Sequence, residues 1–126
     1  MVQQVSDSEL ELMKIIWSQG NKALYADIMG KLAESGRNWQ KNTVTTLLSR
    51  LVEKGFLKTN KIGRRNEYTA LVAEEDYQAD QMISFLDKLY EGNAKGLVST
   101  LIQREMLTPE DYDELKKFWE NGSDGK

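Results

Sequence analysis

Hydrophobic positions recur with a helical period near the start of the chain, where Leu10, Leu12, Met13, Ile15, Ile16 and Trp17 lead up to a break at Gly20. Ser6 and Glu9 stand three residues apart just ahead of that run, the spacing of a capping box that opens a helix. A second helix is predicted over Tyr25 to Glu34, with Tyr25, Ile28, Met29 and Leu32 on one stripe and a stop near Ser35 and Gly36. After the turn from Ser35 to Trp39, Val44, Leu47, Leu48, Leu51 and Val52 fall at i, i+3, i+4, i+7 and i+8, which gathers them on one buried stripe of a third helix. That helix ends where Lys54 meets Gly55, the residue that most readily adopts the left-handed stop. Phe56 to Lys61 and Asn66 to Leu71 then read as two short strands around a hairpin turn at Ile62, Gly63, Arg64 and Arg65. Helix, helix, turn, helix and hairpin, in this order, is the winged helix-turn-helix plan.

The polar side of the third helix narrows the chemistry. At about 100° per residue, Asn42, Thr46, Ser49 and Glu53 point away from the apolar stripe, with Arg50 and Thr43 on one flank and Thr45 on the other. Short donors and acceptors with one long cation suit a helix lying in a major groove, where small polar groups read base edges and arginine takes phosphates. A face that is only solvated is usually richer in Glu, Lys and Gln paired at i, i+4. Three threonines between Thr43 and Thr46 are also poor for helix propensity. Arg64 and Arg65, at the hairpin tip directly after this helix, are available to phosphates or to a minor groove. Trp17 and Trp39 are expected to pack in the core or at a hinge rather than to stack on DNA, because large aromatics in a small domain supply buried area.

Net charge changes the picture only when it is divided. The 126 residues carry a formal charge of -3, with an isoelectric point near 5.1, which is not the usual footprint of a nucleic-acid binder. From Lys31 to Arg65, however, nine Lys or Arg face two Glu, a local net of +7. From Ala73 to Lys126, six basic residues face thirteen acidic ones, a net of -7. Two parts of opposite charge are expected to do different jobs, the first neutralising phosphates. With neither cysteine nor histidine, disulfides, thiol nucleophiles and His-based zinc or general-base sites are excluded, and no metal or cofactor is expected. No signal peptide and no membrane-spanning run are visible, so the expected compartment is the cytoplasm.

Beyond Ala73 three helices are predicted. The first runs over Glu74 to Tyr90 with Tyr77, Met82, Ile83, Phe85, Leu86, Leu89 and Tyr90, and stops at Gly92. The second spans Ala94 to Glu105, with Leu97, Val98, Leu101 and Ile102 on one face. Thr108, Pro109, Glu110 and Asp111 then give a strong helix start, a hydroxyl cap, proline at the first position and acids at the positive dipole end. This last helix places Tyr112, Leu115, Phe118 and Trp119 inward. Such wide apolar faces in so short a segment are marginal for an independent core. A second copy of the chain would supply the missing surface, and a two-fold dimer would present two third helices to the half-sites of a palindrome. The expected interface is Phe85, Leu89, Leu97, Val98, Leu101, Ile102, Leu115, Phe118 and Trp119. The predicted organisation is a winged domain over 1–72, a three-helix dimerisation domain over 73–120 and a flexible tail over 121–126, mainly α with a small β-hairpin wing.

Four segments in register, SDSELELMKIIW, NTVTTLLSRLVEKGFL, RRNEYTALVAEEDY and LVSTLIQREMLTPEDYDELKKF, resemble the penicillinase repressor (BlaI/MecI) family from about Ser6 to Phe118. The resemblance implies a homodimeric winged-helix repressor that sits on inverted-repeat operators and blocks transcription of β-lactam resistance genes. By position it implies that Gln40, Asn42, Thr43, Thr45, Thr46 and Arg50 face double-stranded operator DNA, with Arg64 and Arg65 on the wing; Lys41 and Ser49 complete the expected contact set. Members often carry Ser-Pro-Lys at the helix start and an arginine where this chain has Thr45, whereas here the start is Gln40, Lys41 and Asn42. In the penicillinase-repressor branch a membrane sensor protease cuts the dimerisation domain, commonly at an Asn-Phe bond, and the aligned bond here is Thr100 to Leu101. The cysteine-rich tail of the copper-responsive branch has no counterpart.

Two other classes are weighed against this. A winged helix can be a protein-interaction module, which should expose apolar residues on its third helix where this chain has Asn, Thr, Ser and Arg. An enzyme would need paired carboxylates or a phosphate-binding glycine loop, and neither is visible; Glu53 and Glu67 read as surface charges.

Overall fold

The computed structural model of the chain describes residues 4–121. Two compact units divide it, Met1–Gln81 and Met82–Lys126. The first contains α1 (Asp7–Ser18), β1 (Lys22–Leu24), α2 (Tyr25–Glu34), α3 (Lys41–Glu53), β2 (Leu57–Ile62) and β3 (Arg65–Ala70). The helix α4 (Glu74–Tyr90) begins in the first unit and ends in the second.

The start of α1 is fixed by the expected reciprocal cap. Ser6 Oγ accepts from the Glu9 amide at 3.2 Å, and the Glu9 carboxylate accepts from the Ser6 amide at 2.8 Å, so two of the donors orphaned at a helix start are satisfied. Leu12, Met13 and Ile16 of α1, Ile28 and Leu32 of α2, and Val44, Leu48 and Leu51 of α3 are buried together over Phe56 and Leu57. Each such side chain contributes about 1.5 to 3 kcal/mol by leaving water. Val52 departs from the predicted buried stripe and is 36% exposed. It lies about 80° round the helix from Val44, at the stripe's edge, where the core no longer reaches.

The sheet has three strands rather than the predicted two, in the antiparallel order β1-β3-β2. Ala23 pairs with Tyr68, and Tyr68 with Thr59. Alternation turns Ala23, Tyr68 and Leu57 to the core, where all three are buried. The hairpin turn is tighter than predicted: both strands keep six residues but lie one residue nearer the tip, β2 ending at Ile62 and β3 starting at Arg65, which leaves only Gly63 and Arg64 in the turn. Tyr77, expected with the C-terminal helices, belongs to the first core. Its ring lies 5.5 Å from Phe56, edge-on, and 6.0 Å from Trp17. Trp17 is a core residue as expected and donates its indole N–H to the Val72 carbonyl at 2.9 Å. The compact units therefore divide nine residues later than the charge boundary, inside α4.

The second unit holds the rest of α4 with α5 (Ala94–Gln103) and α6 (Pro109–Asn121). Asn93 caps α5 by accepting from the Gly96 amide at 3.1 Å. Thr108 and Asp111 cap α6 reciprocally, at 2.9 and 3.0 Å. The helix α5 ends two residues before the predicted limit, because Glu105 turns left-handed (φ 59) and Met106 bonds back to Leu101 at 2.9 Å. Neither α5 nor α6 buries a residue. Within the single chain Tyr112, Leu115, Phe118 and Trp119 are exposed, not inward. Asn121, assigned to the tail by sequence, is the last residue of α6, and the remaining tail positions lie outside the described residues.

Candidate nucleic-acid interface

The helix α3 begins without help. Its N-cap, Gln40, is extended and makes no side-chain cap bond, and its first turn holds no acid. The end is finished by contrast. Lys54 is the C-cap, Gly55 follows at φ +84, and the amides of Gly55 and Phe56 bond to the carbonyls of Val52 and Leu51 at 3.0 and 2.9 Å. This is a Schellman stop, with the buried Phe56 beside the buried Leu51.

Between these ends the polar side of α3 is open. Gln40, Lys41, Asn42, Thr43, Thr45, Thr46, Ser49 and Arg50 are all exposed. Asn42, Thr43, Thr46 and Arg50 come together with Leu47 around one shallow groove, while Lys41 and Thr45 lie round the opposite flank. On the wing, Gly63 has φ +63 and Arg64 is not left-handed, the signature of a two-residue type II′ turn. Arg64 occupies the turn and Arg65 the first position of β3, so the predicted tip pair is split between turn and strand, both side chains exposed.

Two ion pairs outside the expected set frame α3. Lys54 Nζ lies 2.7 Å from Glu9 Oε1 and 3.4 Å from the Gln4 carbonyl. The Glu9 side chain is only 2% exposed. Burial raises its pKa, but the bonds from Lys54 and the Ser6 amide outweigh this and hold it below the ordinary 4.5. Before α3, Arg37 Nε donates to Glu11 at 2.6 Å and its guanidinium stands 5.9 Å from the ring of the half-buried Trp39. Trp39 packs against the core, as expected of a hinge aromatic. Sequence reading missed the Glu9–Lys54 contact because the partners are 45 residues apart.

Comparison with known proteins decides the family. The penicillinase repressor model matches residues 5–121. The chain belongs to the penicillinase repressor family. It is 32% identical over 125 residues to the penicillinase repressor of Bacillus licheniformis, covering 99% of this chain and 96% of that one. The methicillin resistance regulatory protein MecI of Mammaliicoccus sciuri is 31% identical over 115 residues, covering 91% and 92%. Among solved structures, the DNA-binding domain of the repressor BlaI matches with a TM-score of 0.52 and 37% identity, covering 61% of this chain and 94% of that one. The Bacillus licheniformis BlaI monomeric form in complex with the blaP half-operator matches at 0.51 and 36%, covering 61% and 92%. The winged helix is therefore of the BlaI DNA-binding type, on a BlaI/MecI-like repressor.

Of the residues the sequence places at a dimer interface, Phe85, Leu89, Val98, Ile102, Leu115, Phe118 and Trp119 are exposed, and Leu97 and Leu101 are half-buried. The Thr100–Leu101 bond lies inside α5, with Thr100 Oγ1 donating to the Gly96 carbonyl at 3.1 Å. Among the described residues, no helix is long and apolar enough to cross a membrane.

Proposed function

We propose that the chain is a sequence-specific transcriptional repressor that binds an inverted-repeat operator as a homodimer, with β-lactam resistance genes the first to examine as its targets. The observation that carries this reading is the open polar face of α3, with Asn42, Thr43, Thr46 and Arg50 around one groove, on a chain that matches the repressor family from 5 to 121. In this reading α3 enters the major groove, where Asn and Arg read base edges, and Arg64 and Arg65 hold the phosphates or minor groove beside it. The exposed apolar residues of α4, α5 and α6 meet their equivalents on a second copy. Tethering two winged units raises operator occupancy through effective concentration.

Selection of bound sequences from random duplex DNA tests this directly. Enrichment of a two-fold inverted repeat is expected. Arg50→Ala should relax the selected sequence, and Arg64→Ala with Arg65→Ala should weaken binding to all duplexes and flatten its salt dependence. No enrichment would favour a protein-interaction module.

A second reading, control of other genes by a different inducer, is favoured by Thr45 and the Gln40–Asn42 start in α3 and by Thr100–Leu101 in place of Asn-Phe. Cleavage there by a membrane sensor protease would also require α5 to unwind, since proteases take extended chain. A β-lactamase or sensor-protease gene beside this one would support the first reading, and an unrelated transporter gene the second.

A further inference from the structure

The core holds α3 along a single stripe, Val44, Leu47, Leu48 and Leu51. One stripe fixes how deep a helix sits but resists rocking about its line of contact only weakly. Off that stripe, two ion pairs bracket the helix, one before its start and one at its end, and both end on α1. Arg37, four residues ahead of Lys41, reaches Glu11 at 2.6 Å, and Lys54, the C-cap, reaches Glu9 at 2.7 Å. The pairs are unequal. Arg37 and Glu11 are 52% and 28% exposed, so solvent screens them. Glu9 is buried, anchored by the Ser6 cap, and its Lys54 partner also touches the Gln4 carbonyl. From this geometry we infer that Glu9 and Glu11 of α1 are positioning residues for DNA recognition, a carboxylate clamp that sets the angle of α3 through Lys54 and Arg37.

The clamp deepens the operator-binding reading and rests on it. It makes a prediction opposite in sign to simple electrostatics. Removing a negative charge from a protein that approaches a polyanion should by itself tighten binding. A clamp requires the reverse for the specific duplex only, because base contacts need a set angle whereas phosphate contacts tolerate a loose one.

The test uses full-length protein, a duplex bearing the selected inverted repeat and a mixed-sequence duplex of equal length. Glu9→Gln is nearly isosteric and keeps an acceptor for the Ser6 amide, so it removes the charge without removing the cap. It should bind the inverted repeat roughly five- to tenfold more weakly, near the low end of one good base contact. Its binding to mixed sequence should be unchanged or slightly tighter. Glu11→Gln should act in the same direction by a smaller factor, since its pair is more exposed. Lys54→Met combined with Glu9→Gln, which leaves no buried charge unpaired, controls for folding; it should melt near the wild type and show the same loss of preference. Equal or tighter binding of Glu9→Gln to the inverted repeat overturns the clamp. So does a salt slope reduced by about one in the double variant, which would make Lys54 a phosphate contact. If the wild type shows no preference for any duplex, the operator reading has failed instead.

Discussion

Tyr77 lies on the first turns of a helix whose remainder belongs to the second unit, yet it is 5% exposed in the core of the first. Its replacement measures how far the winged unit depends on α4. Tyr77→Ala removes a ring that packs edge-on to Phe56 at 5.5 Å and against Trp17 at 6.0 Å. Truncating a buried aromatic costs about 3 to 5 kcal/mol, including the aromatic pairs, a large fraction of the roughly 5 to 15 kcal/mol that holds a domain folded. Tyr77→Phe keeps the ring and loses only the hydroxyl, which accepts from the Val5 amide at a long 3.3 Å; about 0.5 to 1 kcal/mol is expected. Hydrogen exchange at the Met13 and Ile16 amides of α1 reads the stability of this unit without reference to the second. Phe85→Ala, at a site 45% exposed in the second unit, should leave those two amides unchanged. Loss of less than about 1 kcal/mol in Tyr77→Ala, or an equal loss in Phe85→Ala, would refute the placement of Tyr77 as a core residue of the winged unit.

Glu9, whose pKa is lowered from 4.5 by Lys54 and Ser6 against the effect of burial, should contribute stability that is fully present above about pH 4.5 and lost as pH falls through the folded value. Melting curves of wild type and Glu9→Gln should therefore converge on acidification; a constant gap would contradict the sign. Glu105→Gly should stabilise the second unit by about 0.5 to 1 kcal/mol, since glycine takes φ 59 without the cost an L side chain meets there; denaturant unfolding at fixed protein concentration measures it. Leu115→Glu with Phe118→Glu should convert a dimer to a monomer by light scattering, because both side chains are exposed in the single chain; an unchanged mass would place the interface elsewhere.

The helices were legible wherever a cap and a period agreed. Ser6 with Glu9, Gly55 after Lys54, and Thr108 before Pro109 each fixed a boundary through local bonds that sequence spacing encodes. The open face of α3 was legible for the same reason, as the complement of its buried stripe. What sequence could not carry is whatever depends on long-range partners. β1 is three residues long and exists only because Ala23 finds Tyr68, and a three-residue strand has no period to read. Tyr77 was assigned by its neighbours along α4 when its contacts are Trp17 and Phe56. Val52 met the periodic rule and still lies outside the core, because a rule about angle does not say how wide the core is. Glu9 reads from sequence only as the capping-box partner of Ser6, and Lys54 only as the residue before the Gly55 stop; it is folding that brings the two to 2.7 Å.

The helices α5 and α6 bury no residue fully within the single chain, so little apolar burial of their own holds them. If a second copy covers α5 and α6, their order follows mass action: each tenfold fall in chain concentration removes about 1.4 kcal/mol from the assembled state. In the proposed operator-binding dimer, gene dosage would then set more than how many operators are filled. Below a threshold abundance the second unit of such a dimer would lose its partner, leave Leu115 and Phe118 uncovered, and become a substrate for any protease that takes unwound chain, so scarcity of the repressor would accelerate its own removal.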